Sequence, residues 1–348
     1  MERTLATSYK AAKETILPKV RLWVSIAISV VFLAVAFTNV QLSEVTEALA
    51  ETNYLILILA LGTVVATMLA KAARWRLLFF PHQARLRFRK IFSVLLIGQT
   101  TNVLLPTRLG DLVRAYLIGE IEGVNKALAF CTVVMEKVVD SLVLLLLFIL
   151  LLPLVPLPPW FRWSGVFISS ALVLFFLVVL VVAYRGDQTK TSINSALRLI
   201  PGIERFGLSR AVQIAVDGLA LFRRVDVDLK LLGWSAIILV SETLTNYFTL
   251  LAMGITLPLS AALFLLIVLR FGAAVPSSPG KVGVFHYLCV LALSAFSVDK
   301  ALALSYGFVL HLLVFAPMTL LGATYIWKEN YDLQRLASLR RDAIACDR

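Results

Sequence analysis

Charged residues are scarce in this sequence of 348 residues: only 16% are Asp, Glu, Lys or Arg, while 60% are hydrophobic. A soluble globular domain has about 25% charged and about 45–50% apolar residues, because its surface must be solvated by water. The composition, with a mean hydropathy of +0.89, therefore excludes a soluble enzyme and a disordered chain. It indicates an integral membrane protein.

Cysteine and histidine are also rare, with three of each. The cysteines show no pairing pattern and the histidines no ligand spacing, so we predict neither a disulfide scaffold nor a metal site. Phosphate-binding loops, dinucleotide turns and nucleophile motifs are missing, so we predict no cofactor and no catalytic residue. We interpret the net charge of +12 as basic loops at a membrane surface rather than as a nucleic-acid site.

Long apolar runs are what the sequence does contain. A membrane-spanning helix needs about 20 mostly apolar residues, and we predict spans over Leu22–Thr38, Tyr54–Ala70, Ala127–Leu152, Gly165–Ala183, Leu231–Met253 and Ala301–Trp327. Shorter apolar runs occupy Ile91–Leu105, Leu112–Ile118, Ala261–Val275 and Val282–Phe296. Residues 187–228 have no long apolar run, and helical spacing of their apolar side chains predicts an amphipathic cytoplasmic insertion.

The distribution of Lys and Arg predicts a multi-pass protein of the cytoplasmic membrane with both termini inside the cell. Segment 71–90 carries seven basic residues, whereas 39–53 and 252–260 carry none, and cytoplasmic loops hold the excess of positive charge. The first pair of short runs is flanked by basic segments on both sides, so we expect it to enter and leave from the cytoplasm. The second pair has non-basic flanks and is expected to enter from outside.

The two halves of the sequence therefore share one plan in opposite orientation: three spanning helices and one re-entrant helical hairpin. We predict an all-α fold with an inverted repeat in a single membrane domain, 1–348, comprising repeat one 20–152, repeat two 164–327 and a cytoplasmic tail 328–348. The hairpin tips are also similar, because Pro106, Thr107, Gly110 and Asp111 recur 170 residues later as Pro276, Ser277, Gly280 and Lys281. Inverted repeats with interrupted helices are typical of transporters, which bind substrate at the repeat interface.

Charged residues inside apolar runs are the first candidate site. An unpaired charge at mid-membrane costs about 2.5–3.5 kcal/mol on insertion scales, so Glu136, Lys137 and Asp140 must face protein or water. Two roles stay open for them: a buried ion cluster that holds the hairpin arginines, or a site for a cationic head group or a proton. Glu242 and Arg270 are a further candidate pair.

The hairpin tips are the second candidate site. A helix that begins within the membrane after Pro106 presents unpaired N–H groups, and nearby arginines suit phosphate; purely structural pairing of these arginines is the alternative. In the second tip, Ser278 is expected as N-cap with Pro279 in the first helical turn. The predicted substrate-binding residues are Asn102, Arg108, Asp111, Arg114, Glu136, Lys137, Asp140, Glu242, Arg270, Ser277, Ser278 and Lys281.

These motifs resemble the lysylphosphatidylglycerol synthase transmembrane, or flippase-like, family. The resemblance covers nearly the whole sequence and rests on three patterns: Asn102-x-x-Leu-Pro106-x-Arg108-x-Gly110-Asp111, Glu136-Lys137-x-x-Asp140 and Pro276-x-x-Pro-Gly280-x-x-Gly283. It implies lipid translocation, since the membrane domain of two-domain members moves an aminoacylated phospholipid made by a soluble synthetase domain. The sequence ends soon after the last predicted span, so aminoacyl transfer is not expected here. Lys137 stands where the family pattern often has arginine.

The leading expectation is a membrane lipid translocase that moves a phosphate-containing head group between leaflets. Its expected substrate is a membrane phospholipid or an isoprenoid-phosphate lipid, and a lipid-modifying synthetase or glycosyltransferase is the expected protein partner. The alternatives are a membrane enzyme acting on a lipid-linked phosphate, a transporter of small anions and a scaffold for such a partner.

Overall fold

The structure, a computed structural model, describes residues 27, 29–38, 40–80, 82–104, 109–151, 163, 165–167, 169–171, 173–174, 225–272 and 278–328. Within these ranges the chain forms helices and turns and no β-strand. The predicted site residues Arg108 and Ser277 lie outside the described residues. So do most of the predicted fourth span, the insertion up to residue 224 and the tail after Lys328.

Nine α-helices have defined bounds in the described part of the chain. We number them α1 Leu42–Ala50, α2 Tyr54–Leu77, α3 Phe88–Leu104, α4 Gly110–Glu122, α5 Lys126–Leu151, α6 Val225–Ala252, α7 Leu259–Gly272, α8 Val284–Ser294 and α9 Lys300–Lys328. Residues 29–37 are also helical, and 3-10 turns occupy His82–Arg85 and Pro279–Lys281. Every apolar run predicted from 54 to 152 and from 231 to 327 corresponds to one of these helices.

Three of the described helices are long and apolar enough to cross a membrane: Tyr54–Leu77, Leu229–Ala252 and Lys300–Lys328. Their outward faces carry exposed large apolar side chains, among them Leu55 and Ile58 on α2 and Leu320 on α9. Apolar surface on this scale is unfavourable in water but is solvated by lipid tails. The chain is therefore a membrane protein, and its described part is entirely helical outside turns and connecting segments.

Helix α2 is longer than the span predicted from the sequence. It continues past Ala70 to Leu77, so Lys71 and Arg74 lie within the helix, and Arg74 is buried. The prediction ended the span at its first cation because an isolated charge is costly in lipid. That cost is offset here, because carboxylates of neighbouring helices face both cations.

Helices α2 and α6 run antiparallel along much of their length. The Asn53 N–H at the start of α2 donates to the Ala252 carbonyl at the end of α6, 2.7 Å away. Further along, the Thr63 and Thr245 hydroxyls are 2.8 Å apart. Near the other end, Arg74 Nη1 donates to Ser235 Oγ at 3.1 Å, so residue numbers rise on one helix as they fall on the other.

Two antiparallel helical hairpins pack beside this pair. In the first, formed by α3 and α4, Gly98 lies against Arg114 and Asn102 lies against Gly110. An added Cβ at Gly110 would overlap the Gly98 carbonyl oxygen, so glycine permits the close approach of the two backbones. In the second, formed by α7 and α8, Gly272 lies against Leu288, and the Phe264 and Phe296 rings are 5.7 Å apart.

The second hairpin does not begin its outgoing helix where the sequence predicted. Pro279–Lys281 form a separate 3-10 turn, and α8 starts only at Val284. Ser278 precedes this turn without capping it through its side chain. Ser278 and Pro279 thus take the predicted N-cap and first helical positions, but of a 3-10 turn. The α-helix starts later because Gly280 and Lys281 have positive φ values of 74° and 58°, a conformation that an α-helix cannot continue.

Two buried apolar cores lie on either side of a polar layer. One core contains Trp75, Phe79 and Ile91, together with residues from the early part of α5. The other contains Phe264 and Tyr306, together with residues from the late part of α5. The charged residues of α5 lie between these two sets in sequence, so the site sits in the middle of the bundle.

Candidate functional site

A cavity of about 400 Å³ lies at the polar layer, and each of α2 to α9 contributes to its wall. This volume is in the range of small-ligand sites, about 300–1,000 Å³. Nine of the twelve predicted binding residues line it: Asn102, Asp111, Arg114, Glu136, Lys137, Asp140, Glu242, Arg270 and Lys281. Ser278 is not part of the lining; its N–H donates to Ser29 Oγ at 2.8 Å.

The most buried part of the site is a chain of alternating charges that joins α4, α5 and α2. Arg114 Nη2 lies 2.5 Å from Glu136 Oε2, and both side chains are buried. Arg74 Nη2 lies 2.6 Å from Asp140 Oδ1 and 3.9 Å from Glu136 Oε1. The Arg114 guanidinium also lies over the Trp75 ring, 4.4 Å from its centroid. This geometry fixes the first hairpin against the spans through charge pairing.

A second ion-pair cluster joins α2, α6 and α7. Glu242 accepts from Lys71 Nζ at 2.9 Å and also pairs with Arg270 Nη2. Lys71 and Arg270 are partly exposed to the cavity, unlike the buried arginines of the first cluster. The side chains of Lys71 and Arg270 can therefore contact a ligand in the cavity while their helices stay in place.

The most open ion pair of the cavity lining is formed by Lys137 and Asp111. Their charged atoms are 3.5 Å apart, and the Lys137 side chain is 56% exposed. An ion pair this open to solvent contributes little to stability, about 0–1 kcal/mol. Lys137 is therefore available to exchange its carboxylate partner for a ligand anion.

The start of α4 is capped by the neighbouring helix of the same hairpin. The Gly110 N–H donates to Asn102 Oδ1 at 2.8 Å, so one of the helix N-terminal donors predicted to hold an anion is already satisfied. Asp111 occupies the first turn of the same helix. Its negative charge complements the positive end of the helix dipole.

Lys71 and Arg74 are the site residues that sequence reasoning missed. Both were assigned to a surface loop because they follow the apolar part of their span. A usable signal was present: Lys71, Arg74 and Trp75 follow one another at the spacing of a helix face, with no Pro or Gly between them. This spacing predicts that the helix of the second span continues through Lys71, Arg74 and Trp75.

The polar layer carries more positive than negative charge. Its cations are Lys71, Arg74, Arg114, Lys137, Arg270 and Lys281, and its carboxylates are Asp111, Glu136, Asp140 and Glu242. Arg74 does not line the cavity, so among the described residues five of these cations and all four carboxylates do, which leaves one positive charge in excess and favours an anionic ligand. Among the residues described, no three His, Cys, Asp or Glu side chains are grouped to hold a metal ion.

Comparison with known proteins gives one family and two relatives. The family model described as "Lysylphosphatidylglycerol synthase TM region" matches residues 22–322. The UPF0104 membrane protein MJ1595 of Methanocaldococcus jannaschii is 23% identical over 351 residues, which cover 94% of this chain and 98% of that protein. The UPF0104 membrane protein MJ1078 of the same organism is 25% identical over 235 residues, which cover 66% of this chain and 94% of that protein. No solved structure matches the chain.

Proposed function

Because the chain belongs to the lysylphosphatidylglycerol synthase transmembrane family, we propose that it moves a phosphate-containing lipid head group between the two leaflets of a membrane. The observation that carries the proposal is the cavity with its excess of cations, placed in the middle of an apolar bundle. A head group that leaves one leaflet must cross an apolar layer. A chamber whose described lining holds five cations and four carboxylates would replace the water and counterions that the phosphate loses.

The more exposed cations, Lys71, Lys137 and Arg270, are the proposed phosphate contacts. Each is already paired with a carboxylate, so a phosphate would replace one anion by another at the same cation. Charge-assisted hydrogen bonds of this type are about twice as strong as neutral ones. Arg114 and Arg74 are proposed to hold the hairpin and spans in position, because their partners are buried protein groups.

The proposed movement uses two inverted repeats with re-entrant hairpins, within the boundaries predicted from the sequence. Three features support it. Helices α2 and α6, which occupy corresponding places in the two repeats, pack antiparallel. Each repeat has an antiparallel helical hairpin, and α3 of the first hairpin packs against the turn Pro279–Lys281 of the second. In such an arrangement, rocking of one repeat against the other opens the chamber to each leaflet in turn.

The proposed setting is the cytoplasmic membrane with both termini inside. The proposed substrates are a phospholipid or an isoprenoid-phosphate lipid, supplied or used by a synthetase or glycosyltransferase.

The test is transfer of labelled lipids in liposomes that contain the purified protein. Lys137→Gln removes an exposed cation of the chamber and leaves Asp111 uncompensated near the phosphate. A hydrogen bond to a charged group contributes about 1.5–3 kcal/mol, so transfer should slow at least about tenfold. The matched control is Lys126→Gln, because Lys126 lies on the same helix, is 50% exposed and pairs with Glu120 outside the cavity. It should transfer lipid at the wild-type rate.

Two outcomes contradict the proposal. The first is wild-type protein that moves no lipid across a panel of phospholipids and isoprenoid phosphates. The second is transfer that slows equally in Lys137→Gln and Lys126→Gln, since the chamber would then have no particular role. Mass spectrometry of the same lipids distinguishes translocation, which leaves every lipid chemically unchanged, from an enzyme, which produces a new species.

A further inference from the structure

A second cavity, of about 490 Å³, lies between the start of α3 and the end of α9. It is lined by Arg87, Arg89, Lys90, Ser93, Tyr325 and Lys328, and none of these residues lines the central chamber. On α3 the nearest lining residues of the two sites, Ser93 and Gln99, are six residues apart. At 1.5 Å per helical residue this separates the two sites by about 9 Å along the helix. We refer to this second cavity as the basic pocket.

The basic pocket has a strong positive charge. Four of its six lining residues are Lys or Arg, and none is Asp or Glu. Glu122 reaches the rim, where its Oε1 accepts from Arg87 Nε at 3.1 Å. The lining that the structure describes therefore has a net positive charge, which favours an anion.

The positions of these cations strengthen the case for a bound anion. Arg89 and Lys90 occupy the first turn of α3, a helix of 17 residues, and Arg87 immediately precedes it. The first turn is the positive end of the helix dipole, where cations are unfavourable and anions favourable. An anion in the pocket would compensate both the dipole and the side chains.

Aromatic side chains place the basic pocket at the level of lipid head groups. Phe88 is exposed and stacks on Phe92 beside the pocket, with ring centroids 6.3 Å apart. Trp327, next to the lining residue Lys328, is 80% exposed. Trp and Tyr side chains at the ends of membrane helices mark the boundary between hydrocarbon and water, so Trp327 and the lining residue Tyr325 set this level. Basic pockets between helices at this level suit anionic lipid head groups.

We propose that the basic pocket binds the phosphate of an anionic phospholipid, whose acyl chains remain in the surrounding bilayer. The site is distinct from the central chamber and does not depend on lipid translocation. Arg89 and Lys328 are the proposed phosphate contacts, because both are exposed and lie on the two helices that form the pocket. The pocket holds a head group at one membrane surface and so ties α3 to α9.

The experiment measures binding of short-chain phosphatidylglycerol to delipidated, detergent-solubilised full-length protein, with phosphatidylcholine of the same chain length as the neutral reference. The test variant is Arg89→Gln with Lys328→Gln. Near a membrane surface each cation contributes about 1 kcal/mol to anionic lipid binding. The double variant should therefore bind phosphatidylglycerol about thirtyfold more weakly at that value per charge. The charge-matched control is Arg85→Gln with Lys230→Gln, since both residues are exposed and lie outside the pocket.

Support requires three results together. Wild-type protein must bind phosphatidylglycerol more tightly than phosphatidylcholine, the pocket variant must bind phosphatidylglycerol more weakly, and the control variant must bind it as wild type does. Equal losses in the two double variants would mean attraction to overall charge and would overturn the proposal. Unchanged binding in the pocket variant would overturn it as well. Glycerol 1-phosphate is the soluble probe. If it bound as tightly as phosphatidylglycerol, the pocket would be a site for free phosphate and not for lipid.

Discussion

Replacing Glu136 by glutamine is expected to destabilise the folded protein by about 3–5 kcal/mol, the cost of breaking one partner out of a buried ion pair. Glutamine keeps the size of the side chain but removes its charge. Arg114, which lies 2.5 Å from the carboxylate, and Arg74 at 3.9 Å would remain buried and lose part of their compensation. The measurement is chemical unfolding in detergent, in which the loss of helix is monitored by circular dichroism.

The matched control is Glu120→Gln, which removes a carboxylate from an exposed pair with Lys126. Exposed pairs contribute about 0–1 kcal/mol, so this variant should unfold almost as wild type does. A further variant separates lost pairing from lost packing. Glu136→Gln combined with Arg114→Met removes both charges of the buried pair and should recover part of the lost stability. Equal stability of Glu136→Gln and Glu120→Gln would contradict the ion-pair account.

The helices of this protein could be predicted from sequence because apolar runs and prolines mark them directly. The run from Ala127 to Leu152 became α5 at Lys126–Leu151 despite three charges within it. The family resemblance, drawn from motifs around Pro106, Glu136 and Pro276, is confirmed by the match over residues 22–322. Local patterns of this kind survive folding because they are set by covalent neighbours and by the need to bury apolar surface.

The partners of the charges could not be predicted in the same way. Sequence spacing places Lys137 and Asp140 on one helix face, but Lys137 meets Asp111 of α4 and Asp140 meets Arg74 of α2. These contacts depend on how separate helices pack, and no spacing within one helix encodes that packing. The proposed pair of Arg270 with Glu242 does form, because α7 packs against α6, the next long helix before it.

Changing Gly283 to alanine is expected to cost about 3 kcal/mol or more, from backbone strain and from overpacking together. Gly283 has φ 89° and ψ −70° at the start of α8, a conformation that residues with a Cβ avoid. A Cβ there would also overlap the carbonyl oxygen of Ser29, whose hydroxyl accepts from the Ser278 N–H. Relief of the overlap requires the second hairpin tip to move away from helix 29–37.

Gly123→Ala is the control that separates strain from overlap. Gly123 ends α4 with φ 68°, and an added Cβ there meets no atom within 4 Å. Only the left-handed backbone would be penalised, by about 1–2 kcal/mol. If both alanine variants lost the same free energy of unfolding in detergent, the contact between Gly283 and helix 29–37 would contribute nothing to stability.

The expected larger loss of stability in Gly283→Ala would be accompanied by slower lipid transfer, because Lys281 of the chamber precedes Gly283 by two residues and moves with the tip. Gly123→Ala should transfer lipid at the wild-type rate when both proteins are assayed at a temperature at which both are fully folded.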